Sequence, residues 1–236
     1  MPSRFVPRRR LTDEVTDTLR EMILMGELEP SKKYTQNELA DIVGVSTMPV
    51  REALLRLSHE GLVIAAPSRS YEIVRTTRSD IEDVYWLYAQ LAGELTARAC
   101  ANATDELYDE LVALNDRLLS LDNAPAETIE NANWEFHRAI NKAADAPRLV
   151  HALSRTVRLI PEYVFTVLPR WATVNKKDHV AILAAIEKRD PLAGRIAAMN
   201  HVLGTGKLVS SYFSDGTGTW DVPDGVEIGN PPAVPR

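Results

Sequence analysis

The 236-residue chain has little cysteine and no long hydrophobic run, and both features limit the classes of protein to which it can belong. Its single cysteine, Cys100, excludes an internal disulfide framework and is typical of a protein in a reducing cytoplasm. No apolar run reaches the roughly 18 residues that a membrane helix needs, and no signal-peptide pattern opens the chain. We therefore expect a cytoplasmic protein with no membrane partner.

An excess of positive charge is also missing, because the net charge is −6. Residues 1–78 carry 12 Lys and Arg against 11 Asp and Glu, whereas residues 79–236 carry 15 against 22. Only the first part can comfortably approach a polyanion, and three of its positive charges are consecutive: Arg8, Arg9 and Arg10. A solvated, partly disordered N-terminus has the same composition, so charge alone does not decide the function.

Apolar residues are plentiful, and their spacing in residues 1–78 predicts three helices and a hairpin. The first helix begins at Leu11. The second opens on a capping box of Thr35 and Glu38 and ends at Gly44. The third follows Ser46 directly, and two β-rich runs then flank a Pro-Ser-Arg-Ser turn. The short connection at Gly44 is typical of a helix-turn-helix, with the hairpin as its wing.

The third helix has two distinct faces. Its buried stripe is predicted to be Val50, Ala53, Leu54 and Leu57. Ser46 is the predicted N-cap, and its hydroxyl should accept from the N–H of Met48 because Pro49 has none. The outward face carries Thr47, Met48, Arg51 and Leu55, near the end where a recognition helix meets base edges. A helix that merely packs would share these features, so DNA binding is one of two interpretations.

The rest of the chain predicts an all-helical bundle at 79–214, which makes the fold mainly α. Six helical patterns cover about 79–101, 107–121, 126–144, 148–168, 171–189 and 191–213, and the fourth should bend at Pro161. Residues 215–236 contain four Gly and four Pro and little periodicity. We interpret them as a flexible tail.

Three histidines lie on inward faces of these helices. His137 follows Asn133 by four residues on one apolar face, while His179 and His201 share faces with apolar or small residues. The three imidazoles and the amide could converge on one divalent metal ion, zinc by default, with nickel, manganese or iron as alternatives. An inward histidine is often only a hydrogen-bonded core residue, so that interpretation also stands.

Three histidines around an open position also describe catalytic zinc, and a metal-dependent enzyme is therefore an alternative function. No acid–base partner faces the site in this interpretation. Glu135 lies between Asn133 and His137 on another face, and Asp178 is predicted to point away from His179. We therefore expect a protein that is not an enzyme.

Several pieces of the first 78 residues carry a family resemblance. They are G-x-L-x-P at 26–30, ELA at 38–40, GVS at 44–46, PVREAL at 49–54 and EGLV at 60–63. Their order and spacing resemble the winged-helix domain of the GntR family of bacterial transcription regulators. The resemblance implies a homodimer, more often a repressor, that binds a pseudo-palindromic operator in double-stranded DNA.

The chain departs from the family pattern at three places in this domain. Ser31 takes a usual Gly position, Thr47-Met48 replace a usual Arg-Thr pair, and Ser70 stands at a usual Gly of the wing. The resemblance places Lys33, Thr47 and Arg51 at DNA-contact positions without the main guanine-reading arginine. The full set that we assign to DNA binding is Arg8, Arg9, Arg10, Lys33, Thr35, Ser46, Thr47, Met48, Arg51, Arg69 and Ser70.

The bundle resembles the FCD ligand-binding domain of the FadR subfamily, and its six helices resemble the VanR-like group. The matching segments are NWEFH at 133–137, DHVAILAAIEKRD at 178–190 and AAMNHV at 197–202. By this resemblance Asn133, His137, His179 and His201 bind a divalent metal beside a small-molecule effector. Tyr88 and Ala92 stand where the family commonly has Arg and Glu. We assign Tyr88 and Arg158 to the effector, which we expect to be an anion such as a carboxylate, because four neutral ligands leave the metal charge uncompensated.

Overall fold

The computed structural model describes residues 11–121, 124–161, 171–214 and 219–220, and it confirms a mainly helical fold with a small antiparallel sheet. The chain divides into two compact units. We call them the head, which comprises residues up to Thr77 together with the described residues Ser214, Thr219 and Trp220, and the bundle, from Arg78 to Phe213. The predicted run Arg8–Arg10 lies outside the described residues.

The head contains the predicted helix-turn-helix and wing. Its elements are α1 (Leu11–Leu24), β1 (Lys33–Thr35), α2 (Gln36–Val43), α3 (Thr47–His59), β2 (Val63–Ala66) and β3 (Ser70–Ile73). The strands form an antiparallel sheet in the order β1-β3-β2. The sequence prediction did not include β1, because three residues are too few to show an alternating pattern.

Local signals position α3 as expected. The side-chain oxygen of Thr35 accepts from the backbone N–H of Glu38, and the Glu38 carboxylate accepts from the backbone N–H of Thr35, so the predicted capping box is present. Gly44 then ends α2 with φ of 70°, the left-handed conformation that favours glycine. The predicted stripe of Val50, Ala53, Leu54 and Leu57 is buried. The opposite face of α3 is therefore the one that stays exposed.

A partly buried ion pair fixes the end of α3 to α1. Arg20 on α1 is buried and donates from Nε and Nη2 to the two carboxylate oxygens of Glu60, at 2.7 and 2.8 Å. Glu60 is the C-cap residue of α3. A bidentate pair of this kind restricts the relative orientation of the two side chains as well as their distance. It therefore holds the end of α3 in place against α1.

Non-glycine residues take left-handed backbone conformations at two turns of the head. Ser31, at the position where the resemblance expects Gly, has φ of 63°. In the wing the left-handed residues are Ser68 and Arg69, with φ of 63° and 57°, whereas Ser70 belongs to β3. The Ser70 N–H donates to the Pro67 carbonyl and closes a turn in which Ser68 and Arg69 are the central residues. Positive φ at both central residues matches the twist of the strands, but a side chain with a Cβ makes that conformation costly.

Six helices form the described part of the bundle. They are α4 (Arg78–Ala101), α5 (Asp105–Leu119), α6 (Ala126–Ala143), α7 (Pro147–Val157), α8 (Trp171–Glu187) and α9 (Pro191–Ser211). The prediction of a helix from 148 through a bend at Pro161 is wrong, because α7 ends at Val157. A proline cannot donate to the carbonyl four residues earlier, which here is that of Val157, and it disfavours helix at Ile160. Residues 162–168 lie outside the described residues.

Close packing of α4 against α9 depends on glycine. A Cβ at Gly206 would lie 2.6 Å from the Cβ of Tyr85. A Cβ at Gly194 would overlap with the sulfur of Cys100. Cys100 is buried, as expected, and burial raises the pKa of its thiol to about 11. An apolar core including Leu111, Phe136, Ile140 and Ile182 then joins α5, α6 and α8 to this pair.

Two described residues fall in the segment predicted to be a flexible tail. Strands β4 (Phe213–Ser214) and β5 (Thr219–Trp220) form a two-stranded sheet. The Trp220 indole N–H donates to the Leu24 carbonyl at 2.9 Å. The remaining residues of the predicted tail lie outside the described residues. None of the described helices has the length and apolar character of a membrane-spanning helix.

Candidate metal centre and DNA-reading surface

Three helices of the bundle bring three histidines together, as the sequence predicts. His137 on α6, His179 on α8 and His201 on α9 form the histidine cluster, in which one ring nitrogen from each lies within 4.8 Å of the others. The Nε2 atoms of His137 and His201 are 3.2 Å apart. His179 and His201 are 0% and 4% exposed and His137 is half-buried, so the cluster lies mostly inside the bundle.

Burial keeps these imidazoles neutral. Desolvation, helped by the neighbouring imidazoles, holds the pKa of His137 well below its usual range. It lowers the pKa of His179 to about 3. Desolvation also lowers the pKa of His201, although the Asp178 carboxylate opposes that effect. Neutral imidazole is the form that binds a metal ion, so the cluster is ready to bind one at neutral pH.

Asn133 supplies an oxygen of the kind a cation needs. It is 6% exposed, lies four residues before His137 on α6, and its Oδ1 atom is buried with no hydrogen-bond partner among the described residues. The Nε2 atom of His179 is in the same condition. Buried polar atoms without partners are costly, and a bound cation would satisfy both. The residues present therefore fit a divalent ion with nitrogen and oxygen ligands.

Two further polar residues contact the cluster, and the sequence prediction missed both roles. The Nδ1 atom of His179 lies 3.3 Å from Oδ1 of Asn115 on α5. The Oδ2 atom of Asp178 lies 3.6 Å from Nδ1 of His201. The prediction that Asp178 points away is therefore wrong, because it considered one helix and ignored the packed neighbour α9. Glu135 does point away, and its carboxylate accepts from Arg117.

A small cavity borders the cluster. Its lining includes His137, His201, Trp134, Ala92 and the predicted effector residue Tyr88. Desolvation raises the pKa of Tyr88 to about 12, so its phenol stays protonated and can donate. Arg158, the other predicted effector residue, is exposed just beyond α7 and is absent from this lining. The structure thus places one of the two predicted effector residues beside the cluster.

The outward face of α3 is available to a partner. Thr47, Met48 and Arg51 are exposed, and Met48 is 73% exposed. Ser46 occupies the N-cap position, but its side chain makes no capping hydrogen bond. The predicted bond to the Met48 N–H is therefore wrong. The third N–H of the helix is missing at Pro49, which removes one of the two donors that an N-cap side chain normally uses.

The other predicted DNA contacts differ in how free their polar groups are. Lys33 is exposed, with its Nζ 3.9 Å from a Glu72 carboxylate oxygen. Arg69 is exposed in the wing turn. The hydroxyls of Thr35 and Ser70 already donate within the head, to Glu38 and to the Pro67 carbonyl. Lys33 and Arg69 are thus better placed to bring charge to a phosphate.

A winged helix-turn-helix joined to a helical domain with a buried ligand-type site defines the class of DNA-binding transcription regulators. The family comparison agrees with this class. The family model described as "Bacterial regulatory proteins, gntR family" matches residues 11–73, and the model described as "FCD domain" matches residues 83–204. The chain belongs to the GntR family of transcription regulators and carries an FCD domain.

Relatives with known names are regulators as well. The protein described as "Uncharacterized HTH-type transcriptional regulator Rv0043c" of Mycobacterium tuberculosis is 31% identical over 206 residues, which cover 84% of this chain and 80% of that one. The HTH-type transcriptional regulator McbR of Escherichia coli is 26% identical over 185 residues, covering 76% and 84%. These proteins are regulators and not enzymes, so the expectation of a non-enzymatic protein is confirmed and the enzyme alternative is wrong.

Solved structures share the fold. The structure of E. coli McbR/YncC has a TM-score of 0.62 at 24% identity, covering 85% of this chain and 97% of that one. The structure of Lar from Listeria monocytogenes has a TM-score of 0.59 at 16% identity, covering 86% and 97%. Both extend over the head and the bundle, so the fold class is the one expected from the sequence.

Proposed function

We propose that this GntR-family regulator is a homodimeric repressor whose binding to operator DNA depends on a divalent metal and a small anionic effector in the bundle. The observation that carries the proposal is the cluster of three neutral imidazoles beside the unpartnered oxygen of Asn133. His137, His179, His201 and Asn133 would hold the ion. Zinc suits this ligand set, and nickel, manganese and iron are the alternatives.

Charge favours an anionic effector. All four proposed ligands are neutral, and the carboxylate of Asp178 stands behind His201 rather than in the ligand set. A divalent ion would therefore keep most of its charge in a buried place, where an anion stabilises it. Tyr88 lines the adjoining cavity and can donate a hydrogen bond to such an anion.

The DNA half of the proposal is based on the exposed face of α3. Each head of a homodimer would place this helix in the major groove of one half-site of a pseudo-palindromic operator. Arg51 is the one long basic side chain among the exposed residues at the start of α3. Thr47 and Met48 offer a hydroxyl and apolar contact, which suit a thymine methyl more than a guanine edge.

The repressor assignment has support from one relative. The HTH-type transcriptional repressor GlaR of E. coli is 25% identical over 196 residues, covering 78% of this chain and 89% of that one. A promoter reporter carrying the selected operator tests the direction of control: expression should fall when the protein is produced.

The direct test begins with selection of an operator from random duplex DNA. Fluorescence anisotropy then compares operator affinity of the protein with zinc, with a chelator, and with zinc plus small carboxylates. We expect the affinity to change between these conditions for the wild type and for His151→Ala, which removes an exposed histidine outside the cluster. His137→Ala should bind operator DNA with the same affinity in all three conditions. Equal responses in the two variants would contradict metal control.

Two further measurements separate the parts of the proposal. Sedimentation should give a dimer, and a monomer bound to a single half-site would overturn the proposed assembly. Titration calorimetry should show carboxylates binding to the zinc-loaded protein more tightly than to the metal-free protein. Equal binding in both forms would remove the ion from effector recognition.

A further inference from the structure

Asn115 is a buried polar residue on an otherwise apolar stripe of α5. It is 4% exposed and follows Leu111 and precedes Leu118 on the buried face of that helix. A leucine at this position would continue the stripe, and a buried amide needs hydrogen bonds to compensate for its lost hydration. The bond that the structure gives to its Oδ1 atom is the one with Nδ1 of His179. The position therefore has a role that packing alone does not explain.

Ring stacking leaves one ambiguity in the placement of His179. The rings of His179 and Phe136 are stacked, with centroids 4.1 Å apart and an angle of 11° between their planes. Stacking fixes the plane of the imidazole, but a half-turn about its last side-chain torsion keeps that plane and exchanges nitrogen with carbon positions. A polar contact at the ring edge is needed to select one orientation.

The contact with Asn115 makes that selection. An amide oxygen can only accept, so the Nδ1 atom of His179 must carry the proton when it bonds to Oδ1. In a neutral imidazole the other nitrogen, Nε2, then holds the free lone pair. That Nε2 atom is buried and has no hydrogen-bond partner among the described residues. It is the nitrogen that remains for a metal.

We propose that Asn115 is the positioning residue of the metal site, fixing the orientation and tautomer of His179 so that its Nε2 lone pair is reserved for the ion. This inference rests on the proposed metal-dependent function. Partners behind a metal-binding histidine typically change metal affinity by about 10–100-fold when they are removed. His201 has a carboxylate behind it, that of Asp178, whereas His179 has a neutral amide.

The first test measures the tautomer without any metal. Long-range proton–nitrogen NMR spectra of the metal-free protein, labelled with 15N-histidine, distinguish Nδ1–H from Nε2–H. We expect His179 to be the Nδ1–H tautomer in the wild type and to lose this preference in Asn115→Leu. An Nε2–H tautomer in the wild type would overturn the proposal, whatever the protein's affinity for metal.

The second test measures zinc affinity by competition with a chromophoric chelator. Asn115→Leu should weaken binding by about 10–100-fold. Asn115→Asp keeps an accepting oxygen, so it should keep both the tautomer and an affinity at least equal to that of the wild type. Leu118→Ala, a buried change on the same stripe, should lower thermal stability while leaving zinc affinity unchanged.

The outcomes distinguish the two proposals. Equal zinc affinity in the wild type and Asn115→Leu would overturn the positioning role while leaving metal-dependent regulation intact. Equal losses in Asn115→Leu and Leu118→Ala would also overturn it, because the effect would then come from general loosening of the core. A wild type that binds none of zinc, nickel, manganese and iron would overturn metal control and, with it, the role of Asn115 toward an ion.

Discussion

The head and the bundle use buried and exposed positions in opposite ways. In α3 of the head, the buried stripe supports the fold and the functional candidates Thr47, Met48 and Arg51 are exposed. In α6 of the bundle, the functional candidate Asn133 shares the buried face with Phe136. A polar residue on an inward face is thus evidence for a site in the bundle. In the head, evidence for function comes from the exposed residues of α3, on the face opposite the buried stripe.

Zinc should give the largest effect that separates the two regions, because its proposed ligands all lie in the bundle. Free zinc at 100 times its dissociation constant should raise the free energy of unfolding by about 2.7 kcal/mol. Thermal unfolding with and without zinc measures this. The variant His201→Ala should lose the shift and His151→Ala should keep it. If zinc stabilised His201→Ala as much as the wild type, the ion would have to bind at another site.

Acid should weaken the bundle through the same buried imidazoles. The folded pKa of His179 is about 3, below the ordinary value of 6.5, so the unfolded chain binds more protons in this interval. The contribution of His179 to the free energy of unfolding is therefore fully present above about pH 6.5 and is lost as the pH falls. At pH 5 the loss from His179 alone should be about 2 kcal/mol. Urea unfolding of metal-free protein at pH 7.5 and pH 5 measures the loss. His179→Phe should show a smaller difference, and an unchanged difference would contradict the assignment.

Arg51→Ala tests the exposed half of the comparison. Loss of one good base contact should weaken operator binding by about 1–3 kcal/mol, while an exposed substitution should leave unfolding within about 0.5 kcal/mol. Arg56→Ala is the matched control on the same helix, because the Arg56 guanidinium bonds to Asp13 on α1. If the two variants bind the operator equally well, Arg51 does not read a base.

Thr47→Arg tests base preference rather than affinity. Restoring an arginine near the start of α3 should move the selected operator toward guanine at one position, with about 1–3 kcal/mol of discrimination. Repeating the selection from random duplexes measures the change. An unaltered site preference would mean that residue 47 does not face a base.

A pair of glycines gives the smallest effect and asks whether burial alone decides tolerance in the bundle. At Gly204 on α9 an added Cβ meets nothing within 4 Å, so Gly204→Ala should stabilise the protein by up to about 1 kcal/mol through helix propensity. At Gly206 the Cβ would meet Tyr85 at 2.6 Å, so the same change should destabilise it. Chemical unfolding measures both. If Gly206→Ala also stabilised the protein, the close approach of Tyr85 would not constrain this position.

The sequence predicted features that depend on one helix at a time and missed those that depend on two. Periodicity placed His137, His179 and His201 inward, and a capping box located the start of α2. Asn115 was missed because it stands among leucines and gains its role from His179 on another helix. The carboxylate of Asp178 was misplaced for the same reason.

Turn chemistry shows the same limit in the head. The residues around Pro67 predicted a hairpin, but they do not reveal that Ser68 and Arg69 are the left-handed residues. The sequence likewise showed that Pro161 would disturb a helix without deciding between a bend and an end. Each outcome depends on neighbouring structure that a local pattern does not contain.

The wing turn makes the tip of the hairpin easy to open. Left-handed conformations cost roughly 1–2 kcal/mol for each residue with a side chain, and the turn contains two in succession. Replacing Ser68 by Gly should slow amide hydrogen exchange in β2 and β3, because closing the turn would then need less energy. In the native sequence, the hairpin proposed to touch DNA should exchange its amide protons sooner than the helices of the head.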